Sequence, residues 1–178
     1  MKHVVLTGFM AVGKTAVGRR LAKRLGYDFV DTDQLIEQQS GMTIAQMFEG
    51  LGEAEFRERE RRTIAELAPA KPTVIATGGG TFVDEANRRR LKHLGVVVCL
   101  VTSLETILDR VARNDARPLA QGDARRRLTE LYELRKPAYG KADVLVETEG
   151  LTVDQAASRV FTMIAPYLKG NATEAPGS

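Results

Sequence analysis

The chain has 178 residues, 43% hydrophobic, 28% charged and 6% aromatic, with no tryptophan, one cysteine and a net charge of +3. That size and mixture suit one soluble α/β domain with a sizeable core. The lone Cys99 excludes an internal disulfide, and the scarcity of aromatics argues against base stacking on single-stranded nucleic acid. The mildly basic balance, with a pI near 9.1, suits anionic small molecules as well as nucleic acid. No charged and hydrophobic leader precedes "HVVLTG", so a reducing cytoplasm is the expected compartment.

His3–Thr7 is the first expected strand, and it runs into "LTGFMAVGKTAVG". Residues 8–15 spell G-x-x-x-x-G-K-[ST], and Val17, Leu21 and Leu25 then recur at helical spacing. Apolar strand, loop and amphipathic helix in succession are the context of a phosphate-cradling P-loop. Ala11, Val12, Gly13, Lys14, Thr15 and Ala16 are the expected ATP contacts, through inward N–H groups and the positive helix end. Lys14 would reach the outer phosphates, and the Thr15 hydroxyl would ligate Mg²⁺. Ala11 and Val12 occupy the middle of the loop, where small or glycine residues often let backbone approach phosphate.

Asp28–Asp31 is the second expected strand, within "FVDTDQLIE". Asp31 and Asp33 lie at its C-terminal end, where parallel sheets bind ligands. One carboxylate near Mg²⁺ and one near an acceptor hydroxyl would suit phosphoryl transfer. With equal weight, Asp33 can be the N-cap of "QLIEQQ". "TIAQ" at Thr43 is a capping box. "GEAEFRERERR", which includes Arg57, reads as a charged, exposed helix with i,i+3 and i,i+4 pairs. Residues 73–77 form the third expected strand and lead into "ATGGGTF". Three consecutive glycines are costly to order and suggest backbone close to a ligand, with a plain turn as the competing reading.

The apolar run "GVVVCLV" is too short to cross a membrane and gives a fourth strand at 96–101, with Cys99 as core filling. A capping box at Thr102 and apolar Leu104, Leu108 and Val111 mark the next helix. "RNDARPLAQGDARRRL" lies between helical patterns as a mobile lid would, and an arginine there, Arg117, could stabilise a transferring phosphoryl group or simply be solvated. Arg135, in "ELYELRKPAY", carries no local signal. Val144–Glu147 is the fifth strand, "TVDQ" at Thr152 caps the last helix, and residues 170–178 read as a disordered tail after a single domain over 1–169. The triplets at 88–90 and 125–127 are expected on solvated helix faces. His3 and His93 are the only histidines, and neither a Cys/His metal spacing nor a Ser-His-Asp motif is present. Apolar strands alternating with helices imply a parallel sheet covered on both faces.

Taken in order, these pieces resemble shikimate kinase over nearly the whole chain. Most of the resemblance lies in "FVDTDQLIEQQSGMTIAQMFEGLGEAEFRERE", joined by "GGG", "RPL" and "ELRKPAY". It implies an α/β fold of the P-loop NTPase type, nucleoside monophosphate kinase-like, with three layers, a five-stranded parallel sheet and a mobile lid. It also implies ATP-dependent phosphorylation of the 3-hydroxyl of shikimate, a step of chorismate and aromatic amino-acid biosynthesis, by a cytoplasmic monomer without nucleic-acid or membrane partners. By that resemblance Asp33 contacts the shikimate hydroxyls and acts as base, while Asp31 supports Mg²⁺ through water. Arg57 and Arg135 hold the substrate carboxylate, Gly79 and Gly80 offer backbone contacts, and Glu60 orients Arg57. Arg117 is the lid arginine on the ATP phosphates, and Arg110 borders the adenine. Charge stabilisation falls to Lys14, Arg117 and Mg²⁺.

Three positions depart from the family pattern: Ala11, where glycine is usual, Ala16, where a hydroxyl is frequent, and Ala120, in "RPLA" instead of "RPLL". They bear on ATP affinity more than on the reaction. Two other readings are a P-loop kinase of gluconate or nucleoside monophosphates, and a non-catalytic binding module. Against the first stands the aspartate pair with two separated arginines. Against the second stands the retention of Lys14, Asp33, Arg57, Gly79, Arg117 and Arg135.

Overall fold

Five strands join in one all-parallel sheet: β1 (His3–Thr7), β2 (Asp28–Asp31), β3 (Thr73–Ala76), β4 (Gly95–Val101) and β5 (Val144–Glu147), in the order β2-β3-β1-β4-β5. The computed structural model describes residues 3–114 and 122–169. The expected lid, with Arg117 and Ala120, and the expected tail lie outside them. The expected strands agree to within a residue, β3 ending at Ala76 and β4 starting at Gly95. Val4, Val5, Leu6, Val74, Ile75, Val97 and Val98 are fully buried, because helices cover both faces of the central strands. On the edge strand β5 the pattern alternates, with Val144 and Val146 buried but Leu145 half exposed.

Register decides where the loops meet. Ala76 pairs with both Leu6 and Asp31, so β1, β2 and β3 end side by side. Their C-terminal loops therefore share one edge of the sheet, the ligand edge of such folds.

The helices are α1 (Lys14–Leu25), α2 (Thr32–Ser40), α3 (Ile44–Gly50), α4 (Gly52–Glu66), α5 (Glu85–Leu94), α6 (Leu104–Asn114), α7 (Gly122–Tyr139) and α8 (Val153–Lys169). Val17 and Leu21 of α1, with Ala157, Val160 and Ile164 of α8, belong to the main core. Ile36, Met47 and Phe56 of α2, α3 and α4 build a second, smaller core beyond β2. Capping boxes close on Thr43 with Gln46 and on Thr152 with Gln155.

The box expected at Thr102 does not form. Ser103 caps α6 instead, accepting from the Thr106 N–H at 3.1 Å. The Thr102 hydroxyl is drawn to Glu149, which also accepts from the Ser103 N–H at 2.8 Å and the Thr106 hydroxyl at 2.6 Å. A charged acceptor outcompetes a neutral cap, and these bonds, Thr102 foremost, hold the Glu149 carboxyl down at about 2.

Two expectations about surface charge are corrected in part. Arg88 donates to the carbonyls of Phe82 and Val83, and Arg90 to that of Leu67, so of that triplet only Arg89 is exposed. Helix α4 does carry exposed Arg59–Glu55 and Arg61–Glu58 pairs. Its Phe56 and Glu60, however, are 3% and 1% exposed.

Candidate active site

The β1–α1 loop is shaped by what crowds it. At Gly8 (φ 134°) a Cβ would lie 2.5 Å from the Leu100 carbonyl oxygen, so no side chain fits. Val12 points into the core, 3% exposed, and leaves the cradle clear. Ala11 is the strained member, with φ 59°, the one non-glycine residue at positive φ among those described. A left-handed conformation costs an L-residue with a Cβ roughly 1 kcal/mol. Ala11→Gly is therefore expected to stabilise the protein by up to about 1 kcal/mol, read as a raised denaturant midpoint at unchanged slope. A lowered midpoint would refute the strain.

Lys14 opens α1 and folds back on the loop, its Nζ donating to the Gly8 and Phe9 carbonyls at 2.9 and 2.8 Å. Burial pulls its ammonium down to about 8, against the opposing pull of nearby Asp33. The Thr15 hydroxyl donates to Asp31 Oδ2 at 2.7 Å. Arg110 Nη1 donates to the Ala11 carbonyl at 3.0 Å, tying α6 to the loop. The guanidinium thus meets the loop backbone from α6, and Arg110 does not line the two cavities described below.

The structure separates the two aspartates. Asp31 is the N-cap of α2, its Oδ1 accepting from the N–H groups of Asp33 and Gln34 at 3.1 and 3.4 Å. The capping alternative for Asp33 is thereby corrected: helix α2 begins at Thr32, two residues too early for it. Asp33 Oδ1 is buried and has no hydrogen-bond partner among the described residues. Burial lifts this carboxyl to about 6, reinforced by Asp31 and Glu60 and opposed by Lys14.

Arg57, which looked like another surface charge, turns inward. Its Nη1 donates to Glu60 Oε2 at 2.9 Å, and Thr81 donates to the other Glu60 oxygen at 2.6 Å. Close approach of site side chains marks two of the three consecutive glycines. A Cβ at Gly78 would sit 2.5 Å from Asp33 Oδ1, and one at Gly80 would sit 2.8 Å from both terminal nitrogens of Arg57. The Gly79 carbonyl accepts from the Tyr139 hydroxyl. Arg135, on α7, faces the Phe9 ring at 5.9 Å from its centroid.

These residues line two cavities. One, of about 390 Å³, holds Ala11, Gly13, Lys14, Thr15, Ala16 and Asp31; the other, of about 410 Å³, holds Arg57, Glu60, Gly80, Arg135 and the Phe48 ring. Asp33, Gly79 and Met10 border both. The sequence left Thr81 and Tyr139 unassigned. Both sit inside quoted motifs, but their partners are 21 and 60 residues away, which no local pattern reveals.

A lysine loop at a helix N-terminus suits phosphate, and a carboxylate with an unpartnered oxygen at the border of a second cavity, one lined by two arginines, suits an acceptor for that phosphate. Fold and site together define a kinase of the P-loop class. The family model described as shikimate kinase matches residues 10–165. A shikimate kinase of Thermodesulfovibrio yellowstonii is 45% identical over 90% of this chain and 94% of its own. The solved structure of shikimate kinase from Acinetobacter baumannii in complex with shikimate superposes with TM-score 0.85 at 38% identity, covering 97% of this chain and 96% of that one. A gluconokinase from Sinorhizobium meliloti covers 96% of this chain and 97% of its own at TM-score 0.64 but 18% identity, a likeness of fold alone. The chain belongs to the shikimate kinase family.

Proposed function

We propose that the family's reaction, ATP-dependent phosphorylation of shikimate, takes place where the two cavities meet, with Asp33 as the base. The supporting observation is the position of Asp33: it borders both cavities, and one of its oxygens is buried without a partner. The shikimate carboxylate lies between Arg57 and Arg135, whose planar forks fix its orientation. That clamp aims the 3-hydroxyl at the γ-phosphate, and Asp33 accepts the hydroxyl proton as the oxygen attacks phosphorus. Lys14 leaves the Gly8 and Phe9 carbonyls for the phosphate oxygens, and Arg117 joins it from the lid. Arg110 borders the adenine, while Gly79 and Gly80 present backbone to the substrate.

Mg²⁺ fits the oxygen donors present. The Thr15 hydroxyl and Asp31 carboxylate are adjacent at the cradle, and no cluster of three His, Cys, Asp or Glu side chains occurs among the described residues. Thr15 would hold the ion directly and Asp31 through water, which suits an ion that retains water ligands. When bound, the ion neutralises charge on the β- and γ-phosphates. One chain lines both cavities, so a monomer suffices, and the cytoplasm supplies ATP and keeps Cys99 reduced.

The base assignment has a pH signature. With ATP saturating, kcat/KM for shikimate is expected to fall about tenfold per unit below pH 6 as Asp33 takes up its proton. Titration of ATP itself would leave the same inflection in the residual rate of Asp33→Asn. An inflection that survives in that variant, or a flat profile down to pH 5, contradicts the base role.

A further inference from the structure

Among the described side chains of α7, Leu134 is 75% exposed, Leu128, Leu131 and Tyr132 pack partly buried against the core, and only Tyr139 is buried. Arg135 and Tyr139 are four residues apart and share one helix face. Burial pushes the Tyr139 phenol up to about 12, so near neutrality it is a proton donor. Its acceptor is the Gly79 carbonyl, 2.5 Å away. That carbonyl sits between Gly78, against Asp33, and Gly80, against Arg57. One hydroxyl thus joins the helix bearing Arg135 to the loop against which the other guanidinium and the base rest. Pro137 lies in the same last turn and removes an internal donor there, which makes an external tether the more consequential.

We propose that Tyr139 is a positioning residue for the acid-binding half of the site, setting the spacing between Arg135 and the Arg57–Gly80 wall through its hydrogen bond to the Gly79 carbonyl. This rests on reading the 410 Å³ cavity as the shikimate site. A clamp made of two forks tolerates little misplacement, and displacement by about 1 Å can cost on the order of a hundredfold. Tyr139 lines neither of the two cavities and acts through their walls.

Tyr139→Phe keeps the ring and removes the hydroxyl, which donates to the Gly79 carbonyl and also lies against Arg135. Its KM for shikimate is expected to rise roughly tenfold, as for loss of a donor to a buried acceptor, with KM for ATP within twofold of the parent. In a double-mutant cycle with Arg135→Lys, the two effects on shikimate KM are expected to be less than additive. An unchanged shikimate KM, or equal rises for both substrates, overturns the proposal. Amide hydrogen exchange at residues 78–82 is expected to speed up in the variant even without substrate. Unchanged exchange there overturns the tether itself. A parent protein that turns over no shikimate would instead overturn the substrate reading, with exchange still deciding the tether.

Discussion

Asp33→Asn is expected to reduce turnover of shikimate by roughly 10²–10⁴-fold while making the folded protein more stable at neutral pH. The first effect follows from removing the proton acceptor and keeping its shape, so ATP should still bind at the intact Lys14 loop. The second follows from burial. The Asp33 carboxyl titrates near 6 in the fold against 3.8 in its ordinary setting, so its charged form is disfavoured in the native state. That penalty is full above pH 6, shrinks as pH falls through the interval and is absent below 3.8. A neutral amide avoids it, which should stabilise by about 3 kcal/mol at pH 7.5 and by little at pH 4. Chemical denaturation at both pH values reads the difference. A variant no more stable than the parent at pH 7.5 would contradict a buried, charged carboxylate, and undiminished turnover would contradict the base.

Arg57→Ala should be damaging in two separable ways. Loss of a charge-assisted fork should raise the shikimate KM by about a hundredfold with little change for ATP. Glu60, 1% exposed, would also keep only the Thr81 hydroxyl as donor. Stranding a buried carboxylate costs about 3 kcal/mol. Adding Glu60→Gln should return much of the lost stability and none of the lost shikimate affinity. Equal weakening of both substrates would count against the carboxylate role, and recovery of shikimate binding in the double variant would count against direct contact.

The P-loop was legible in the sequence because it is contiguous: strand, glycines, lysine and helix lie within the first 25 residues. The central strands β1, β3 and β4 were legible for a similar reason, as runs of apolar residues buried on both faces. Asp31 and Asp33 were not separable, because each is an aspartate near a strand end and only the start of α2 makes one of them the cap. Arg57 was masked by its glutamate-rich helix, where ordinary surface pairs such as Arg59 with Glu55 have the same spacing. Its role depends on Glu60 being buried beneath Thr81, a contact across the fold. Glu149 likewise moved a helix start from 46 residues away. Ala11 reads in the sequence as a departure bearing on ATP affinity, and its backbone strain shows only in its φ. Family resemblance supplied the roles of Arg57 and Arg135 that local pattern could not.

The most direct measurement is product identification by ³¹P NMR, with ADP release followed in parallel, on the purified protein with ATP, Mg²⁺ and either shikimate or gluconate. The expected result is shikimate-dependent ADP release and a new phosphate monoester on the 3-hydroxyl, lost in Asp33→Asn. Turnover of gluconate without shikimate, phosphate on another hydroxyl, or binding of both substrates with no transfer would contradict the proposed reaction at this site.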